Sequence, residues 1–148
     1  MRISARGRYA LAATVSMAAR WQTRENVTVI SLSEDLGISK IYLEQVFSLL
    51  KKADVVTSHK GAQGGYRLSR PPQEITALEV LSATDLSLFE EPGETVAANA
   101  PALEQALRLK VFDAVDGAIR TALEGVTLID LVTEAKKHRK NQGYMFFI

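Results

Sequence analysis

The sequence has 148 residues, 47% of them hydrophobic and 24% charged, enough for one domain with a real core and an appendage. It contains no cysteine, which excludes disulfides, thiolate nucleophiles and thiolate-held metal centres, and its two histidines, His59 and His138, stand far apart. The net charge of +1 conceals an asymmetry: residues 1–70 hold eleven Lys and Arg against five Asp and Glu, residues 71–148 seven against twelve. A basic first half fits a polyanion-binding module; solvated charged faces clustered by chance are the alternative.

A first helix is expected over residues 4–21, with Leu11, Val15, Ala18 and Ala19 on one face. After a polar break at 23–26, Thr28 caps a short helix through Leu36, with Ile30 and Leu36 inward. Gly37 supplies the positive φ of a sharp turn, and Ser39 caps a further helix from Lys40 to about Ala53. Two short helices about a glycine turn form the helix-turn-helix pattern. In the second of them Leu43, Val46, Phe47 and Leu50 fall at i, i+3, i+4 and i+7, a buried stripe. The opposite face presents Ile41, Glu44, Gln45, Ser48 and Lys52, side chains suited to base edges in a major groove. A plain helical hairpin with a solvated outer face has the same spacing.

Strand-forming residues at 55–58, a glycine-rich turn at 60–65 and the run Tyr66, Arg67, Leu68 predict a tight hairpin. Placed directly after a helix-turn-helix, it is the wing of a winged helix, slim enough for a minor groove and flanked by Lys60 and Arg67. A hairpin that merely needs positive φ is the alternative. Arg2, Arg6 and Arg8 would add phosphate contacts, which position without reading sequence. Pro71 and Pro72 close the wing. Thr76 and Glu79 make a capping box opening a helix to about Leu86, with Leu78, Val80, Leu81 and Leu86 packing back.

Residues 89–100, acidic and turn-like, read as a mobile loop. Pro101 then starts a helix ending near Gly125, about 24 residues and roughly 36 Å long. Leu103, Ala106, Leu107, Val111, Ala114, Val115 and Ala118 form a stripe along it that needs a partner helix, expected from a second copy of the chain. Packing within one chain is the alternative. The last helix starts at Thr127 with Asp130 as capping partner, carries Leu128, Leu131, Val132 and Ala135, and ends in a solvated basic run at 136–140 that matches the helix dipole. The chain closes on Tyr144, Met145, Phe146, Phe147 and Ile148, all apolar or aromatic.

Three blocks carry a resemblance: Met1-Arg2-Ile3-Ser4-Ala5-Arg6-Gly7-Arg8-Tyr9-Ala10, then Ser39 with Tyr42-Leu43-Glu44-Gln45, then Lys60-Gly61 with Gly64-Gly65-Tyr66. In this order they resemble the Rrf-two family of bacterial winged helix-turn-helix repressors, over about the first 86 residues. The resemblance implies a homodimer on a palindromic operator, with the long C-terminal helix at the dimer interface. Many members hold an iron–sulfur cluster on three cysteines in the loop before that helix. That loop has no cysteine here, so the usual cluster is ruled out. Lys60 also departs from the arginine common at the wing. Ala62, where cluster-binding relatives usually have proline, and the apolar chain end resemble the cysteine-free branch of cysteine-metabolism repressors. In that branch O-acetylserine sulfhydrylase is the co-repressor, an enzyme whose active site accepts a C-terminal isoleucine.

The expected architecture is mainly α with a small β-hairpin wing: a winged helix-turn-helix domain over 1–86, a loop over 87–100, and the dimerisation helix, last helix and apolar tail over 101–148. Spacing and resemblance together place double-stranded DNA against Arg2, Ser4, Arg6 and Arg8, against Ser39, Lys40, Ile41, Tyr42, Glu44, Gln45, Ser48 and Lys52, and against Lys60, Gly61, Gln63, Gly64, Gly65 and Tyr66. Leu103, Leu107, Val111, Ala114, Val115 and Ala118 are the dimerisation set, and Tyr144 to Ile148 the partner-binding tail. No cofactor, metal site or catalytic residue is expected. No apolar run reaches the roughly 20 residues of a membrane span, so a cytoplasmic protein without membrane contact is expected. The leading reading is a repressor of cysteine or sulfur-metabolism genes. The other is an interaction module that inhibits a metabolic enzyme through its tail.

Overall fold

Five helices begin on a serine or threonine whose hydroxyl oxygen accepts an otherwise unpaired amide of the first turn. The computed structural model describes residues 3–146, with side chains up to residue 141. Ser4 caps α1 (Ala5–Ala19), Thr28 caps α2 (Val29–Leu36), Ser39 caps α3 (Lys40–Lys52) and Thr76 caps α4 (Ala77–Thr84). Thr127 and Asp130 cap α7 (Leu128–Phe146) reciprocally, at 3.0 and 3.2 Å. Each cap contributes about 1 kcal/mol, which fixes where the helices start. Between α4 and α7 run α5 (Pro101–Leu107), a π-helical segment (Arg108–Phe112) and α6 (Asp113–Glu124), so the predicted long helix contains one wide turn.

The strands β1 (Val56–His59) and β2 (Gly65–Leu68) pair antiparallel, Val56 opposite Leu68 and His59 opposite Gly65. Val27 joins the free edge of β2, exchanging hydrogen bonds with Tyr66 at 2.9 and 2.8 Å. The core sits where α1 meets α3, α4 and α7. Phe47, Leu32, Leu43, Leu50, Ile75, Leu81 and Leu128 are its largest fully buried residues. The start of α7 is stitched to the start of α4: Ala77 N–H donates to the Val126 carbonyl at 2.8 Å, and Leu128 N–H to that of Ile75 at 2.9 Å. Leu128 and Val132 therefore complete the winged core.

Several readings need correction. The inward side of α1 is the small-residue stripe Gly7, Ala10, Ala13, Thr14, Met17 and Ala18. Leu11 and Val15 only flank it, where three helices crowd this face and favour small side chains beside Met17, and Ala19 is exposed. In α2 the inward residue is Leu32, supported by Val29 and Leu36 at i and i+7, which turns Ile30 to solvent. Leu86 is 67% exposed because α4 stops at Thr84, while Leu78 is half-buried. Glu79 leaves the second arm of its capping box unmade and pairs with Arg70. Ala135 is exposed, and the basic run at 136–140 lies inside α7, which continues to Phe146, so it is no dipole-matched helix end.

The loop read as mobile is instead anchored. Glu104, 5% exposed, accepts the amides of Thr95 and Val96 at 2.8 and 3.1 Å. Those two bonds, Thr95 foremost, hold its carboxyl below the usual range, with Arg108 adding to the effect and burial opposing it. The lowered folded pKa means folding favours the carboxylate: this contribution is complete above the ordinary carboxylate range and lost as pH falls through the depressed value. Acidification should therefore speed amide exchange at Thr95 and Val96, after correction for intrinsic rates. Glu104→Gln should show the fast exchange at neutral pH. Protection of both amides that persisted in the variant would refute the anchor.

Candidate nucleic-acid interface

Helix α3 is amphipathic in the sense the spacing predicted. Leu43, Val46, Phe47 and Leu50 are fully buried, and Ile41, Glu44, Gln45, Ser48 and Lys52 are exposed on the other side. Gly37, at φ 66°, makes the turn that swings α3 away from α2, and the Ser33 hydroxyl donates to the Ile38 carbonyl at 2.6 Å to fix it. Lys40 lies 3.7 Å from Glu44 one turn on, so the Glu44 carboxylate is partly neutralised by its own helix. Tyr42 is half-buried, edge-on to Tyr9 at 5.0 Å between ring centroids, and braces α3 against α1.

Arg6 comes to the same place from α1. With Ile41, Glu44, Gln45, Ser48 and Leu49 it lines an open groove of about 500 Å³. Arg8 is also exposed. Ser4 is occupied structurally: its hydroxyl accepts the Gly7 amide at 3.1 Å and its own N–H donates to Asp85 at 2.7 Å. Arg2 lies outside the described residues, as do the side chains of the tail set Tyr144, Met145 and Phe146 and the whole of Phe147 and Ile148.

In the wing, Lys60, Gly61 and Gln63 at the tip are exposed, and Gly64, Gly65 and Tyr66 are half-buried. Gly65 has φ 145° and faces the Val27 carbonyl, where a Cβ would come within 2.7 Å. The Tyr66 ring lies 4.6 Å from that of Phe47, tying the hairpin to α3. Tyr66 and Gly65 thus hold the wing in place more than they face outward.

The dimerisation set is divided. Leu103, Val111 and Val115 are 53, 47 and 54% exposed, Ala114 and Ala118 are exposed, and Leu107 is half-buried.

Sequence reasoning missed three contributors, Asp85, Gly7 and Arg24. Asp85 is 1% exposed and ties α4 to the cap of α1, a role no local pattern announces. Gly7 makes room for that approach, since a Cβ there would lie 2.9 Å from Leu81 and 3.1 Å from Asp85. Arg24 lines a second groove at the wing root with Asn26, Gln63 and Arg67, where the Arg67 Nε is buried without a partner among the described residues. The only signal for Arg24 was its charge; Arg67 was already placed at the wing.

No three His, Asp or Glu side chains converge as metal ligands among the described residues. With no cysteine in the sequence, the donor set does not fit an iron–sulfur cluster. Among the described residues no helix is long and apolar enough to cross a membrane.

The Rrf2 family model, described as an iron-dependent transcriptional regulator, matches residues 3–134. Among curated proteins the chain is similar to the HTH-type transcriptional regulator IscR of Aliivibrio salmonicida, 44% identical over 88 residues, 60% of this chain and 52% of that protein. IscR of Klebsiella pneumoniae is 42% identical over 88 residues, again 60% of this chain and 53% of the relative. The chain thus spans about half the length of these curated relatives. Among solved structures, CymR (YrzC), the global cysteine regulator of B. subtilis, superposes with a TM-score of 0.73 at 29% identity, over 90% of this chain and 98% of that one. IscR of T. potens gives 0.74 at 29% identity over 99% and 96%. Oxidised CymR of Staphylococcus aureus gives 0.64 at 32% identity over 89% and 96%.

Proposed function

Because the chain belongs to the Rrf2 family of transcription regulators, we propose that it acts as a dimeric repressor on a palindromic operator without an iron–sulfur cluster. The observation that carries the DNA-binding part is the groove in which Arg6 meets the exposed polar face of α3. Gln45 can pair with adenine through its amide, and Glu44 can accept from cytosine. Arg6, Arg8 and Lys60 supply charge for phosphates, and the wing, fixed to α3 through Tyr66 and Phe47, follows it onto the duplex. The exposed stripe Leu103, Val111, Ala114, Val115 and Ala118, with half-buried Leu107, supports an isologous dimer.

The test begins with genome-wide mapping of bound DNA to obtain the operator. On that operator Gln45→Ala or Glu44→Ala should cost about 1–3 kcal/mol, with little effect on random duplex. Lys60→Ala or Arg6→Ala should weaken both and lower the salt slope by roughly one. Equal losses on operator and random DNA for all four would refute the division into readers and phosphate contacts.

We also propose cysteine or sulfur metabolism as the regulated process, supported by the superposition on CymR and by the loop without cysteine. On this reading the apolar segment Tyr144 to Ile148 binds O-acetylserine sulfhydrylase. Calorimetry should show that deleting Ile148 abolishes binding to that enzyme and that O-acetylserine competes with the intact chain. Equal affinity of both chains would dispose of the enzyme partner and leave the DNA reading intact.

A further inference from the structure

Between residues 88–92 and the long helix lies a cavity of about 300 Å³. Phe89, Phe112, Ile119 and Val115, the last also on the exposed stripe, give it an apolar lining, and the wide π turn at Arg108–Phe112 brings both Arg108 and Phe112 to one wall. Such turns recur at functional sites. Four carboxylates, Glu90, Glu91, Asp113 and Asp116, face two guanidinium groups, Arg108 and Arg120, so the lining is net negative.

Both cations are already engaged. Arg120 Nε donates to Asp116 at 2.8 Å, while Arg108 donates to the Pro92 carbonyl at 3.4 Å and lies 3.9 Å from Glu104. The carboxylates of Glu90, Glu91 and Asp113 make no ion pair among the described residues. The Arg120 guanidinium also sits 4.6 Å from the Phe89 ring centroid, so this ring already offers its face to a cation.

We propose that this cavity binds a small organic cation, an amine or amidine on a compact apolar or aromatic body, held by the unpaired carboxylates and the two phenylalanines. Occupation reaches the interface through one short path. The turn at Leu86–Phe89 follows directly on Asp85, which accepts the Ser87 hydroxyl at 3.0 Å and the Ser4 amide at 2.7 Å. Ser4 caps α1 two residues before Arg6. The regulatory consequence rests on the DNA-binding reading; the site itself does not.

The probes are benzamidine, benzamide and benzoate, nearly isosteric and respectively cationic, neutral and anionic. Calorimetry on the full chain should show saturable benzamidine binding, roughly tenfold tighter than benzamide, from the ring contact and the carboxylates together. Asp113→Asn and Glu91→Gln, both at exposed positions, should each weaken benzamidine severalfold and leave benzamide unchanged. Absence of saturable benzamidine binding would overturn the site. So would benzamide or benzoate binding as tightly, or both variants binding benzamidine like the parent. Saturating benzamidine should shift affinity for a duplex severalfold; an unchanged affinity would overturn the path through Asp85. A chain that binds no duplex even without probe would sink the regulator reading while the cation site stands.

Discussion

Val111→Asp should convert the protein to monomers and remove tight binding to a two-half-site operator. Val111 is 47% exposed on a helix whose neighbouring apolar residues, Leu103 and Val115, are similarly uncovered, so the isolated subunit should tolerate the change. In a two-fold interface the same carboxylate enters twice. Burying each without a partner costs about 2 kcal/mol or more, so the dimer should weaken by roughly a thousandfold. A single half-site should bind weakly, so operator affinity should fall with the dimer. Analytical ultracentrifugation beside operator titration checks this, with circular dichroism to show the fold unchanged. A monomer with full operator affinity, or an intact dimer, would remove the interface from this face.

The winged core was legible because its signals are local. A cap, a glycine turn and a stripe at i, i+3, i+4 and i+7 each lie within a dozen residues, and α3 carries all three. The hairpin was legible for the same reason, its glycines marking the turn. What stayed hidden depends on distance in the chain. Asp85 finds its partner 81 residues away, and Glu104 reaches back to residues 95 and 96 from a helix whose own pattern is unremarkable. Small residues misled in α1: hydrophobicity favoured Leu11 and Val15, whereas close packing of three helices favours alanine and glycine.

The site divides along the same line. Exposure of Glu44, Gln45, Ser48 and Lys52 followed from the helical period once the buried side was known. Ser4, Gly65 and Tyr66 were grouped with them because they share sequence blocks, yet the structure uses them to hold pieces together. A sequence block thus mixes exposed side chains, the candidate contacts, with groups that hold the fold together. Only packing separates the two, and Arg24 at the wing root shows the converse, a candidate contact outside every block.

Gly65→Ala is the sharpest test of that holding role. A Cβ at this position would sit 2.7 Å from the Val27 carbonyl oxygen and 3.0 Å from its carbon, both backbone atoms that cannot swing aside. The residue also holds φ 145°, which an L side chain adopts only under strain, about 1–3 kcal/mol. Relief requires β2 to leave Val27, breaking two hydrogen bonds of about 1 kcal/mol each and drawing Tyr66 off Phe47. The expected loss in urea denaturation is therefore about 2–4 kcal/mol. Binding should weaken on operator and random duplex alike, because the wing and the tilt of α3 change together. Gly37→Asn is the matched control: its φ of 66° suits asparagine and no atom lies within 4 Å of a new Cβ, so its cost should stay below about 1 kcal/mol. If Gly65→Ala unfolded at the same urea concentration as Gly37→Asn and bound DNA like the parent, Gly65 would be a turn residue only, and the wing would owe its position to something other than its seam with Val27.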